Sequence, residues 1–147
     1  MKLFAGKSPW YAGGLAFECL SCGRCCAGPE EGYVWITADE LAALADYLKL
    51  SVEEIKSRYV RQVGRRMSLR EDARSKDCVF LSRDSDGQGR CQIYPVRPTQ
   101  CRTWPFWPGN LHSPDAWCQA GLRCPGINRG AVHPCDEIQR KRKQTNP

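Results

Sequence analysis

The chain has 147 residues, ten of them cysteine, and a formal net charge of +6. This length predicts a single domain over residues 1–147. No run is apolar and long enough for a membrane span or for the core of a signal peptide. We therefore expect a cytoplasmic protein with reduced thiols and no membrane contact. In that setting clustered cysteines bind metal or carry redox chemistry more often than they form a disulfide framework, which is the weaker alternative.

The positive charge is weak evidence for an anionic partner. Cysteines bind metal as thiolates, so a zinc ion or an oxidised four-iron cluster held by four of them carries a charge of about −2. Two such sites would lower the net charge of the chain to about +2.

The densest motif is Cys19-x2-Cys22-x2-Cys25-Cys26. An x2 spacing lets two thiolates curl around one ion, and Gly23 permits the tight backbone that this requires. The three x2-spaced cysteines resemble the start of the bacterial ferredoxin motif. Because adjacent side chains diverge in a helix or a strand, we expect Cys25 and Cys26 to serve different sites, or one of them to be a buried free thiol.

Two capping boxes, Thr37–Glu40 and Ser51–Glu54, predict an αα-hairpin with apolar residues at helical spacing. The second helix is predicted to end at Val63, before a glycine. Short strands are predicted on either side of the hairpin, at Tyr33–Ile36 and Arg65–Arg70.

The second half of the chain is predicted to form a β-hairpin with strands at 78–81 and 91–94, which would carry Cys78 and Cys91. Pro98 is predicted to begin a short helix that contains Cys101.

Residues 109–133 lack regular periodicity and predict a long loop pinned by cysteines. Pro134 is predicted to open a last helix into a basic C-terminal tail, residues 136–147. The predicted fold class is therefore α+β: a small metal-stabilised domain with an αα-hairpin, a short β-hairpin and long cysteine-pinned loops.

The donor set points to sulfur, because the chain has only two histidines. Sulfur ligands select zinc, iron–sulfur clusters or Cu(I). Zinc would be structural and redox-silent, whereas iron–sulfur would add electron transfer or substrate activation. The x2-x2 triplet and the Cys124-Pro125 pair favour iron–sulfur, and the separate doublets of most all-cysteine zinc modules are missing.

The segment from Lys56 to Lys76 contains eight basic residues and two acidic ones. Such a segment can contact nucleic acid or an acidic partner, or it can be a solvated surface. No aromatic interleaving accompanies it, so we interpret it as a solvated surface, and nucleic acid is not expected as a partner.

These motifs together resemble the CxxCxxCC family of zinc- or iron-chelating domains (YkgJ-type cysteine-cluster proteins). The resemblance covers roughly residues 17 to 127 and includes Thr37–Glu40, Arg97-Pro98 and Cys124-x-Gly126. It implies eight ligating cysteines and leaves out Cys118 and Cys135. A related cysteine domain in flagellin lysine N-methylases implies an iron–sulfur cluster. This chain shows no glycine-rich strand–helix signature for a methyl donor, so methyltransferase activity is not inferred.

The leading hypothesis is a metal-binding protein that holds a 4Fe–4S cluster and serves a redox or accessory role for a protein partner. The predicted metal ligands are Cys19, Cys22, Cys25, Cys26, Cys78, Cys91, Cys101 and Cys124. The predicted cofactor-binding residues, which would hydrogen-bond cluster sulfur or carbonyls, are Tyr94, Arg97 and Arg102. The alternatives are a zinc-stabilised interaction module without catalysis and a protein-modifying enzyme of the side-chain methylation type, for which no catalytic residue stands out.

Overall fold

The computed structural model describes residues 8–20, 22–26 and 32–144. They form two compact units. The central unit comprises residues 22–26 and 32–102, and the terminal unit comprises residues 8–20 and 103–144. Both combine helices with short strands, which confirms the predicted α+β class. The assignment of the whole chain to one domain stays a prediction.

Short elements predominate in both units. The strands are β1 (Leu15–Phe17), β2 (Val34–Ile36), β3 (Val60–Val63), β4 (Arg66–Leu69), β5 (Leu81–Arg83), β6 (Gly89–Cys91) and β7 (Ile127–His133). The α-helices are α1 (Ala38–Leu48), α2 (Val52–Tyr59), α3 (Thr99–Thr103), α4 (Pro108–Leu111), α5 (Pro114–Arg123) and α6 (Cys135–Gln144). Two single 3₁₀ turns span Arg24–Cys26 and Tyr94–Val96.

The central unit is built on an antiparallel sheet of order β2–β4–β3. Ile36, Leu69 and Val60 lie on one face of this sheet and are buried together with apolar residues of α1 and α2, including Leu44 and Ile55. Strand alternation puts the intervening residues on the opposite face. The sheet therefore has a core side covered by the two helices and an outer side.

Both predicted capping boxes are present. The Thr37 hydroxyl accepts a hydrogen bond from the backbone nitrogen of Glu40, and the Glu40 carboxylate accepts one from that of Thr37. Ser51 and Glu54 repeat the arrangement at the start of α2. These local bonds satisfy backbone donors that helix formation leaves unpaired, and the predicted αα-hairpin is confirmed.

The predicted end of the second helix is wrong. Helix α2 ends at Tyr59, and Val60–Val63 is strand β3, paired with β4 through a turn at Gly64. Valine is a good strand former because its branched side chain packs well on a pleated surface. Here Val60 lies opposite Leu69, and both are buried.

The second hairpin forms, but its strands are shifted from the predicted ranges. Strand β5 begins only at Leu81, whereas Cys78 makes an isolated bridge with Glu71. Strand β6 ends at Cys91, and the chain then enters the 3₁₀ turn at Tyr94. The helix predicted after Pro98 is confirmed as α3, with Cys101 in its middle.

The terminal unit pairs β1 with β7 and packs α5 and α6 around a core that includes Phe106, Trp117 and Ile138. The loop predicted over residues 109–133 is wrong, because this range contains most of α4 and all of α5 and β7. Helix α5 has a Ser113 N-cap followed by Pro114 in its first turn. The last helix predicted after Pro134 is confirmed as α6. Within the described residues, no helix is long and apolar enough to cross a membrane.

Candidate metal centre

The first cysteine turn contacts the β5–β6 hairpin through its backbone. The backbone nitrogen of Cys78 donates to the carbonyl oxygen of Cys26 at 2.7 Å. Gly23 has a φ of +74°, and a Cβ there would lie 2.8 Å from the carbonyl carbon of Gly89. Glycine is therefore required at position 23 both by its left-handed conformation and by this close approach. The result is that the turn bearing Cys25 and Cys26 lies against the hairpin that carries Cys91.

Four thiols meet at Cys26. Its thiol lies within hydrogen-bonding distance of Cys25, Cys78 and Cys91, and these contacts together with burial raise the pKa of Cys26 far above its usual value. The hydrogen bond from Cys26 lowers the pKa of Cys78 despite burial. The same cause lowers the pKa of Cys91 to about 7. The opposite directions of these shifts reflect how closely the four thiols are grouped.

Cys101 joins this group from α3. Burial raises the pKa of Cys101, and the negative charges of Cys78, Cys25 and Cys91 raise it further. Cys101 therefore lies close enough to Cys25, Cys78 and Cys91 for their charges to act on it. We call Cys25, Cys26, Cys78, Cys91 and Cys101 the thiol group.

Backbone amides hydrogen-bond two of these sulfurs. The N–H of Phe80 donates to the sulfur of Cys78, and the N–H of Ile93 donates to that of Cys91. Each donor lies two residues after its cysteine, so both turns present an N–H to the thiolate. Hydrogen bonds of this kind favour the charged form of the acceptor, which is the form that binds metal.

The pairing of the adjacent cysteines differs from expectation. We expected the side chains of Cys25 and Cys26 to diverge, as they would in a helix or a strand. They lie instead in a 3₁₀ turn, and their thiols hydrogen-bond to each other. Both cysteines therefore belong to one group of thiols.

The other three predicted ligands lie outside the thiol group. Cys22 is half-buried in the central unit, next to Gly23. Cys19 and Cys124 belong to the terminal unit, where the backbone nitrogen of Glu18 donates to the carbonyl oxygen of Gly126 at 3.1 Å. Glu18 directly follows β1, and Gly126 directly precedes β7. Cys19 therefore comes just after this backbone contact in the chain, and Cys124 comes just before it. The ligand role of each cysteine stays a prediction.

The thiols are grouped without being arranged around one point. Among the residues that the structure describes, no set of three or more cysteine, histidine, aspartate or glutamate side chains has the geometry to hold a metal ion. All ten cysteines lie within the described ranges, and none forms a disulfide. Cysteine binds metal as the thiolate, so metal binding at these residues would release protons and depend on pH.

One of the three predicted cofactor-binding residues lies near the thiols. The positive charge of Arg97 lowers the pKa of both Cys91 and Cys101. Its guanidinium lies 3.8 Å from the ring centroid of Tyr94, and its Nε donates to the Tyr94 carbonyl oxygen at 3.0 Å. Arg102 lies instead 3.8 Å from the Glu40 carboxylate. Contact of any of the three with a cofactor stays a prediction.

Glu40 and Gln100 hold the segment with Cys101 in place, a role that the sequence did not indicate for either residue. The second carboxylate oxygen of Glu40 accepts hydrogen bonds from the backbone nitrogen and the hydroxyl of Thr99, at 2.6 and 2.7 Å. The amide of Gln100 donates to the Tyr33 carbonyl oxygen and accepts from the Trp35 nitrogen. The Glu40 contact joins residues 59 apart, so the capping-box motif that revealed Glu40 indicated only its local role.

We expect Glu40→Gln to destabilise the protein by about 1–2 kcal/mol at pH 7, because a charged capping acceptor becomes neutral. Burial alone would raise the pKa of Glu40, but hydrogen bonds from Thr99 and Thr37 lower it overall. A lowered pKa gives stability that is present above the unfolded value of about 4.3 and lost as the pH falls through the folded value. In urea titrations the gap between variant and wild type should therefore narrow below pH ~4.

The matched control for this prediction is Glu53→Gln, which changes the same charge in the first turn of α2, where Ser51 and Glu54 make the capping bonds. We expect it to change stability by less than about 0.5 kcal/mol. An equal loss in the two variants would mean that net charge, and not the bonds to Thr99, sets the effect.

The two cysteines outside the resemblance pattern lie in the terminal unit. Cys118 is exposed on α5, and Cys135 is half-buried at the start of α6, where it packs against the apolar core of that unit. Neither belongs to the thiol group of the central unit.

Comparison with known proteins agrees with this cysteine pattern. A family model described as "CxxCxxCC: Putative zinc- or iron-chelating domain" matches residues 18–125. A relative from Methanocaldococcus jannaschii, "Uncharacterized protein MJ0661", is 35% identical over 96 residues. That match covers 65% of this chain and 48% of the relative, so the chain spans about half the length of the curated relative it matches. No solved structure matches the chain.

Proposed function

Because the chain belongs to the CxxCxxCC family of zinc- or iron-chelating domains, we propose that its thiol group binds an iron–sulfur cluster of the 4Fe–4S type. We further propose a redox or accessory role for a protein partner. The observation that carries the proposal is the gathering of four thiols at Cys26, with Cys101 of the same unit near three of them. Sulfur donors of this kind select iron–sulfur clusters, zinc or Cu(I). A bound cluster would supply one-electron transfer.

The surroundings of the thiols fit such a group. The amides of Phe80 and Ile93 donate to the sulfurs of Cys78 and Cys91, and Arg97 adds a positive charge nearby. Hydrogen bonds to sulfur, together with local charge, are what a protein uses to set the reduction potential of a cluster. These residues of the chain would therefore stabilise thiolate ligands and offset their negative charge.

Zinc is the second candidate, and a specific contact pattern favours it. Three thiols lie within hydrogen-bonding distance of Cys26. Four sulfurs around one tetrahedral zinc, each at about 2.3 Å from the ion, lie about 3.8 Å apart, which is a similar separation. A tetrahedral site would also need Cys25, Cys78 and Cys91 at this separation from one another, so the four thiols would have to rearrange to hold a zinc ion. The chain would then be a zinc-stabilised interaction module, and the protein-modifying alternative stays a prediction.

Anaerobic purification of the full chain, followed by a visible spectrum and elemental analysis of the same sample, tests the two candidates. We expect broad visible absorbance that dithionite bleaches, with about four iron and four acid-labile sulfide per chain. In Cys91→Ser these signals should fall, whereas Cys118→Ser, changed at an exposed cysteine of the other unit, should keep them. A colourless protein containing stoichiometric zinc would establish the second candidate instead, and a metal-free protein would overturn both.

A further inference from the structure

The outer face of the β2–β4–β3 sheet carries two aromatic rings and two arginines. Trp35 and Arg61 lie in one row, because both pair with Ser68 of the central strand. By strand alternation, Tyr33 lies on the same side as Trp35, and Arg66 on the same side as Ser68. This is the side that faces away from the apolar core.

These four side chains stack on one another. The rings of Tyr33 and Trp35 have centroids 4.8 Å apart and planes 21° apart. The guanidinium of Arg61 lies 4.8 Å from the Tyr33 centroid, and that of Arg66 lies 4.0 Å from the Trp35 centroid. We call this set the arginine–aromatic ladder. Tyr33 remains 46% exposed within it.

The ladder lies within the most basic part of the chain. Residues 56–76 contain eight basic residues, six of them arginine, and two acidic ones. Of the acidic pair, Glu71 lies 4.0 Å from Arg61 and also accepts from the Gly32 nitrogen. Asp72 accepts hydrogen bonds from the backbone of the turn that follows it. The segment therefore keeps a positive excess even after its own carboxylates are counted.

We propose that the arginine–aromatic ladder binds single-stranded nucleic acid. Guanidinium groups donate paired N–H bonds that match phosphate oxygens. Unpaired bases stack on aromatic rings and on guanidinium planes, so a face that offers both suits a single strand. An acidic peptide could use the charge but would gain nothing from the stacking surface.

Nucleic acid was not expected as a partner because no aromatic interleaving accompanies the basic residues, and the fold supplies aromatic residues from another part of the chain. The basic segment lacks aromatic interleaving in sequence, but β2 brings Tyr33 and Trp35 from outside the segment onto the same face as Arg61 and Arg66. A sheet makes this possible because residues far apart along the chain become neighbours across strands. The proposal does not depend on which metal the thiol group binds.

Fluorescence anisotropy with a labelled ~12-nucleotide oligouridylate, a length within the range of known single-strand sites, tests the proposal on the metal-loaded full chain. We expect saturable binding that weakens with salt. Tyr33→Leu should weaken it by about tenfold, since stacking is lost. Arg66→Gln should weaken it and reduce the salt slope by about one unit.

The matched control is Arg74→Gln, which removes the same charge from the same basic segment but lies in the turn after Asp72, off the sheet. It should change affinity by less than about twofold. Circular dichroism and metal content will show whether each variant is folded. Absence of binding, an equal loss in Arg74→Gln and Arg66→Gln, unchanged affinity in Tyr33→Leu, or equal competition by polyglutamate would each overturn the proposal.

Discussion

Replacing Cys26 with serine is expected to abolish stoichiometric metal binding and to unfold much of the central unit. The Cys26 sulfur contacts three other thiols, and its carbonyl oxygen accepts the bond from Cys78 that joins the first cysteine turn to the hairpin. Serine retains the backbone bond but offers a hard oxygen in place of a soft thiolate. In small metal-dependent domains the binding free energy is also folding free energy, on the order of 10 kcal/mol for a structural site.

Elemental analysis and thermal melts, each with and without a chelator, measure this effect. Chelated wild type should melt at the temperature of Cys26→Ser, since both lack the metal, and Cys118→Ser should behave as wild type in metal content and melting temperature. A Cys26→Ser protein that stays folded with full metal content would show that Cys26 is not a ligand. A variant far less stable than chelated wild type would assign its loss to packing instead.

Local signals predicted much of the central unit. The capping boxes at Thr37 and Ser51 determine where α1 and α2 begin, because the bonds involved join residues three apart. Pro98 marked the start of the helix with Cys101 for a similar local reason. The cysteine motifs also indicated which thiols to consider, because x2 and hairpin spacings act over short distances.

Elements that depend on distant partners were missed or misplaced. Val60–Val63 continues the apolar spacing of α2 but becomes a strand, since β4 provides a paired edge and a buried neighbour in Leu69. Helix α5 was missed because its buried face rests mainly on Trp117 and Ala120, too few residues to give a clear helical period. Strand β7 alternates weakly, since most of its residues are exposed.

The candidate metal centre also depends on contacts between residues that are far apart in the sequence. Nothing in the motifs indicates that Cys26 lies at the centre of the other thiols, since that position results from the close approach of Gly23 to Gly89. The bond from Thr99 to Glu40 and the stacking of Arg66 on Trp35 both join residues more than 30 positions apart. Periodicity and spacing report on neighbours along the chain, so contacts of this kind require the fold.

Gly126→Ala is expected to destabilise the terminal unit by about 3 kcal/mol or more, because no space exists for the added methyl group. A Cβ at position 126 would overlap the carbonyl oxygen of Glu18 and lie 3.0 Å from its carbonyl carbon. These are backbone atoms, so the clash cannot be relieved by rotating a side chain. The strands must separate, which removes the bond from the Glu18 nitrogen to the Gly126 oxygen.

Urea denaturation followed by tryptophan fluorescence measures this loss through Trp117, which is buried in the core of the same unit. Gly109→Ala is the matched control: it adds the same methyl group to the same unit, but nothing lies within 4 Å of a Cβ there. Because alanine favours helix over glycine and Gly109 lies in α4, the control should be neutral or slightly stabilised. If both variants unfold at the same urea concentration as the wild type, the methyl group is accommodated at position 126 and the expected clash with Glu18 is wrong.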